Sequence, residues 1–220
     1  MNLKYNTVSE NLLDCLKKLM ANPVFDDFVL VGGTALSLQL GHRISVDIDL
    51  FTSKPYGSMN IEQIKNALSE TFDYADYLKD LDGRSLFYSL NIGKNQNEYV
   101  KLDLAYTDEF IAPFVKKDGL RLASLQDISG MKMEAITNSK RKKDFWDIHE
   151  LLEYFTLEEI INFGLKRNPY TLTEEKILSA FKEMNNLTQD NVIQCLKGKY
   201  WEFVQLDLME EVRKYKNKKL

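Results

Sequence analysis

Asp47 and Asp49, one residue apart in the string SVDIDLF, are the side chains of this sequence best spaced to do chemistry. Alternation puts Val46, Ile48 and Leu50 on one face of an extended segment and Ser45, Asp47 and Asp49 on the other, so one strand presents two carboxylates side by side. Like charges that close repel and raise a carboxyl pKa unless a cation sits between them. Hard oxygens at this spacing suit Mg²⁺, which takes one or two carboxylates and completes its shell with substrate phosphates. Alone, the same pattern also describes an acidic strand edge. Upstream, the run Phe28 to Val31 reads as a buried strand that ends at Gly32 and Gly33, where the backbone can turn tightly and approach a ligand. Thr34 stands where a helix N-cap would be, ahead of Ala35, Leu36, Leu38 and Leu40, so the amides of that turn are expected to form an anion site. Together the two features describe a site for a nucleoside triphosphate and its magnesium ions.

Two metals bridging attacking and leaving oxygens would need a third carboxylate. Asp103 is the candidate. Arg84 to Ile92 alternates as a strand, Gly93 to Asn97 reads as a turn, and Tyr99 to Tyr106 as the returning strand of a hairpin. In YVKLDLAY, Val100, Leu102, Leu104 and Tyr106 share one face, and Lys101, Asp103 and Ala105 the other. A solvent-facing aspartate on an edge strand is the bland alternative. Arg43 carries a fork suited to phosphate oxygens, or pairs with an acid as loop arginines commonly do.

The order diglycine, short helix, Asp-x-Asp strand and later acidic strand resembles the nucleotidyltransferase superfamily that includes DNA polymerase β. The fuller string GGTALSL…HRISVDIDLF is similar to the AbiEii/AbiGii toxin family within it, as are Lys132-Met133-Glu134-Ala135 and Lys143-Asp144-Phe145-Trp146-Asp147. The resemblance covers about residues 28 to 152. It implies that Gly32, Gly33 and Ser45 help hold an NTP, that Asp47 and Asp49 bind Mg²⁺ (Mn²⁺ being the alternative ion), and that Lys132 and Asp144 act in catalysis. The third carboxylate of the superfamily, Asp103 here, is less regular in this family. Physically, Lys132 can offer a point charge to a phosphate, and Asp144 can orient it or accept a proton from a hydroxyl. The implied reaction moves NMP from an NTP to an acceptor hydroxyl, with RNA, and tRNA 3′ ends in particular, as acceptor. The implied setting is a type IV toxin–antitoxin or phage abortive-infection system with a cognate antitoxin from a neighbouring gene. A non-catalytic nucleotide-binding regulatory module, a glycosyltransferase using its own Asp-x-Asp, and nucleotidyl transfer to a small molecule such as an antibiotic are the competing readings.

Two hundred and twenty residues at 44% hydrophobic and 28% charged can bury a sizeable core. A net charge of −4 argues against a protein that coats nucleic acid nonspecifically, although Lys140 to Lys143 adjoin Asp144 and a second basic run closes the chain. No signal-peptide pattern and no run of about 18 apolar residues is present, so a cytoplasmic protein with no membrane partner is expected. Cys15 and Cys195 read as reduced core thiols, and His42 and His149 are too few for a zinc cluster.

Those side chains need elements to position them. Leu12, Leu13, Leu16, Leu19 and Met20 mark an opening helix from Glu10 that ends near Asn22 and Pro23. Ile61 to Phe72 makes a second, Tyr74 to Asp82 is ambiguous between strand and loop, and Ser124 with Asp127 starts the helix that carries Lys132. Thr156 with Glu159, Thr173 with Lys176, and Thr188 mark later starts, with Asn168 and Pro169 as a break. The expected architecture is α+β: an α/β nucleotidyltransferase core with a small mixed sheet over residues 1–122, then a helical domain over 123–220.

Overall fold

The computed structural model describes residues 2–187 and 193–219. Its strands are β1 (Val29–Leu30), β2 (Asp47–Thr52), β3 (Tyr74–Ala75), β4 (Phe87–Asn95), β5 (Glu98–Tyr106), β6 (Val115–Lys117) and β7 (Leu120–Leu122). All seven join one mixed sheet in the order β3-β4-β5-β2-β1-β7-β6. β2 runs parallel to β5 and antiparallel to β1, so the acidic strand is central in the sheet. The mixed sheet is as expected, and the three-residue strands β6 and β7 extend it by pairing with each other and, through β7, with β1.

The helices are α1 (Glu10–Ala21), α2 (Gly32–Leu40), α3 (Ile61–Thr71), α4 (Leu125–Asn138), α5 (Lys142–Leu151), α6 (Leu157–Arg167), α7 (Glu174–Glu183) and α8 (Trp201–Asn217). Capping residues set their starts. Ser9, Ser124 and Thr173 accept backbone amides at the heads of α1, α4 and α7, and Thr156 with Glu159 closes a full capping box on α6. Thr188 lies outside the described residues.

The α+β architecture is as expected, with helices following the sheet. Several boundaries differ. The hairpin turn is tighter, since β4 continues through Asn95 before β5 begins at Glu98. The ambiguous stretch after α3 resolves into the short β3 and a 3-10 turn over Leu78–Asp80. Val46 is 66% exposed and precedes β2, so the strand begins at Asp47, two residues after the expected start at Ser45. One continuous apolar cluster joins Leu30, Ile48 and Leu102 of the sheet to Leu36, Ile128, Ile136 and Phe145 of the helices. Cys15 is a buried free thiol and Cys195 a partly buried one. Among the described residues no helix is long and apolar enough to cross a membrane.

Candidate active site

Asp49 stands in register with Asp103 on β5, and Asp47 with Lys101. Ile48, Leu50, Leu102 and Leu104 are fully buried on the opposite face, so both strands turn their acids to the same side. Crowding is visible in the titration of Asp49: burial, then the charges of Asp103 and Asp47, push its carboxyl up to about 6. Asp103 sits in the middle of the sheet, 6% exposed, and is therefore no edge-strand aspartate. Lys101 Nζ lies 2.5 Å from its Oδ2, while its Oδ1 is buried with no hydrogen-bond partner among the described residues.

Gly32 begins α2 with φ of +66°, and a Cβ there would collide with the Asp49 carboxylate. Both facts demand glycine. Val31 precedes α2 and supplies no side-chain cap, so the first amides of the helix lie beside Asp49 without a side-chain acceptor. Thr34 is therefore not the expected N-cap. It lies inside the first turn, buried, with its hydroxyl donating to the Asp47 carbonyl and 2.8 Å from Ser45 Oγ. Its physical role is to tie α2 to the start of β2. Ser45 is buried in that contact, just ahead of the strand.

Arg43 likewise has a different partner from the phosphate expected of its fork. Nε and Nη2 donate to the two oxygens of Asp147 at 2.7 and 2.8 Å, and Nη1 donates to the Ile44 carbonyl. This is the acid-paired alternative, and it is buried. A Cβ on Gly33 would collide with the Arg43 guanidinium, which accounts for the second glycine. Asp147 also meets His42 Nε2 at 2.8 Å and Lys132 Nζ at 2.6 Å. Lys132 in turn donates to Asp144 Oδ1 at 2.7 Å, and Arg141 Nε donates to Asp144 Oδ2 at 2.8 Å. Burial alone would raise both aspartates. Lys132 and Arg141 nevertheless hold Asp144 below the usual carboxylate range, and Arg43 and Lys132 hold Asp147 well below it. Burial works to lower Lys132, but Asp147 and Asp144 outweigh it and keep the ammonium charged.

Asp144 is thus an anion bonded through one oxygen to Lys132 and through the other to Arg141. Asp147 and His42 were given no role by sequence reasoning. The i, i+3 spacing of Asp144 and Asp147, which places both on one face of α5, was the available signal. Of the basic run, Arg141 serves Asp144, Lys142 lies over the Trp201 ring, Lys140 pairs with Glu183, and Lys143 Nζ approaches Asp47 Oδ2 at 3.8 Å. All the expected site residues thus gather around the β2 acids and the neighbouring charge network.

The donor set fits a divalent cation. Two carboxylates share one strand face, a third lies in register with an orphaned oxygen, and the raised Asp49 is a repulsion that a cation would relieve. Among the described residues no three acidic, histidine or cysteine side chains are gathered closely enough to hold an ion by themselves.

The profile of the family described as nucleotidyl transferase AbiEii toxin, type IV TA system, matches residues 14–205. An uncharacterized protein of Aquifex aeolicus (strain VF5) is 27% identical over 216 residues, spanning 92% of this chain and 94% of its own. JHP933 from Helicobacter pylori superposes with a TM-score of 0.56 at 19% identity, covering 93% of this chain and 88% of the other. The nucleotidyltransferase toxin MenT4 of Mycobacterium tuberculosis H37Rv gives 0.54 at 13% identity, covering 92% and 83%. The two superpositions show a shared fold.

Proposed function

We propose, from the premise that this chain belongs to the nucleotidyl transferase AbiEii toxin family of type IV toxin–antitoxin systems, that it transfers NMP from an NTP to an RNA 3′ end, most naturally that of a tRNA. As a member of that family the chain is a nucleotidyltransferase. The observation that carries its residue-level reading is the register of Asp49 with Asp103 beside the Gly32 turn, which sets an acidic pair, a third acid and uncapped helix amides at one point.

Asp47 and Asp49 would hold Mg²⁺ or Mn²⁺, with Asp103 as a further ligand. When bound, such an ion supplies Lewis-acid neutralisation of the triphosphate. The Gly32-Gly33 turn binds phosphate oxygens through the first amides of α2, and Gly32 lets that backbone approach without a side chain in the way. Lys132 adds a fixed positive charge to the field around Asp49. Asp144 and Asp147 hold that ammonium in place, while Arg43, Thr34 and Ser45 fix the loop that joins α2 to β2. The acceptor hydroxyl gives its proton to solvent water, its oxygen forms the bond to the α-phosphorus as the bond to the bridging oxygen breaks, and pyrophosphate leaves. A cytoplasmic setting and a cognate antitoxin as genetic partner belong to the same reading.

Incubation with each α-labelled NTP, Mg²⁺ and total RNA tests it. Wild type should retain label in RNA and release pyrophosphate, and Asp49→Ala should not. Equal background labelling by the two proteins would leave a nucleotide-binding regulatory module as the better account, and label recovered only in a small molecule would move the acceptor to that class.

A further inference from the structure

The rows that set Asp49 beside Asp103 continue onto β4. Ser89 stands opposite Asp103, Asn91 opposite Lys101, and Phe87 opposite Ala105, which itself pairs with Phe51 of β2. Directly opposed residues point to the same side of a sheet. Asp49, Asp103 and Ser89 therefore form one row of the acidic face, and Phe51, Ala105 and Phe87 form the next. The alternate β4 residues Tyr88, Leu90 and Ile92 are buried on the core side. Phe87 is 47% exposed, and it is absent from both the core and the fringe packed against it, whereas Phe51 belongs to that fringe. Ser89 is exposed between it and the acids.

Displacement at phosphorus puts the entering and leaving oxygens roughly in line. The Gly32 turn lies on the β1 side of Asp49, so a triphosphate held there directs its pyrophosphate toward α2. The attacking hydroxyl must then arrive from the opposite side, across β5 and β4. Phe87 lies two strands and two residues from Asp49 in this register, roughly 12 Å at about 4.8 Å per strand and 3.3 Å per residue. That is the reach of one nucleotide whose ribose stands over the acids. Ala105, small and on the same face between Asp49 and Phe87, leaves that path clear of a bulky side chain, while Lys101 lies one row to the other side of Asp103.

Resting on the RNA-acceptor reading above, we propose that the open face of β5 and β4 is the acceptor site and that Phe87 stacks the terminal base of a single-stranded RNA end. An aromatic ring accepts any base by its face, so this contact holds the end without reading its sequence.

A short single-stranded RNA carrying 2-aminopurine at its 3′ terminus, titrated with the full-length protein, tests this without requiring turnover. Wild type and Phe87→Trp should quench the fluorophore. Phe87→Ala should bind about ten-fold more weakly, with an unchanged melting temperature, an unchanged KM for NTP and no displacement of the RNA by NTP. Equal quenching by wild type and Phe87→Ala, no quenching by wild type, or displacement by NTP, which would give the ring to the incoming nucleotide, overturns the assignment. Quenching by wild type without label transfer to any RNA would leave Phe87 as an RNA contact and remove the enzymatic reading instead; transfer with Phe87-independent quenching would do the reverse.

Discussion

Asp49 has a titration that belongs to the site rather than to the fold. Its carboxyl rises from an ordinary 3.8 to about 6 through burial and the neighbouring acids. A raised carboxyl favours the protonated native state, so the penalty is absent below about pH 4, grows through pH 6 and is full above it, where it amounts to about 3 kcal/mol. Asp49→Asn should therefore melt several degrees higher than wild type at pH 8 in chelator, match it near pH 4, and have no transferase activity. Thermal unfolding at the two pH values checks this, and an equal shift at both would refute it. Calorimetric titration with Mg²⁺ or Mn²⁺ in the presence of NTP should show affinity falling as pH drops through about 6, because the ligand must be ionised. Gly32→Ala meets both a positive φ and the Asp49 carboxylate; it should lose activity and several kcal/mol of stability, read from its denaturation midpoint.

At the scale of elements, α5 is the fastener between the helices and the acidic strand. Asp147 on α5 ties Arg43 and His42 of the loop before β2 to Lys132 of α4. The same loop is bridged by backbone bonds from Ile44 N to the Gln194 carbonyl and from Leu196 N to the His42 carbonyl. Lys197 and Lys199 secure that second segment to the buried Glu150 of α5. Breaking a buried pair leaves an uncompensated charge, so Asp147→Ala should cost about 3–5 kcal/mol. Urea unfolding should show a lower midpoint with an unchanged m-value. Since Asp144 and Asp147 are held below the usual range, the stability they add is present at neutral pH and is lost as pH falls through their depressed values. Arg43→Lys would not substitute, because an ammonium cannot reproduce the two parallel bonds to Asp147.

Across the whole molecule, one apolar cluster runs from the sheet into α4, α5, α6 and α7. Residues 1–122 would expose the face that Ile128, Met133, Phe145 and Ile148 cover. Heating should accordingly give a single transition, with far- and near-ultraviolet circular dichroism coincident. Two separated transitions would instead support independent units divided near residue 122. The basic run at 140–143 spreads over several partners rather than forming a nucleic-acid-coating patch, which accords with the net charge of −4.

The sequence by itself determined the features that repeat within one element: the alternation that turns Asp47 and Asp49 away from Ile48 and Leu50, the diglycine before α2, and the caps Ser124, Thr156 and Thr173. These depend on backbone period and local hydrogen bonds, which neighbouring residues specify. Only the tertiary structure decided that Asp103 meets Asp49, that Thr34 bonds β2 instead of capping a helix, and that the Arg43 fork closes on Asp147, 104 residues away. Such partners are chosen by how distant elements pack: β7 is a strand because β1 offers it an edge, and β6 because β7 offers the next one. No local pattern encodes that choice, since the same charge or short apolar run would satisfy its neighbours equally well in several folds.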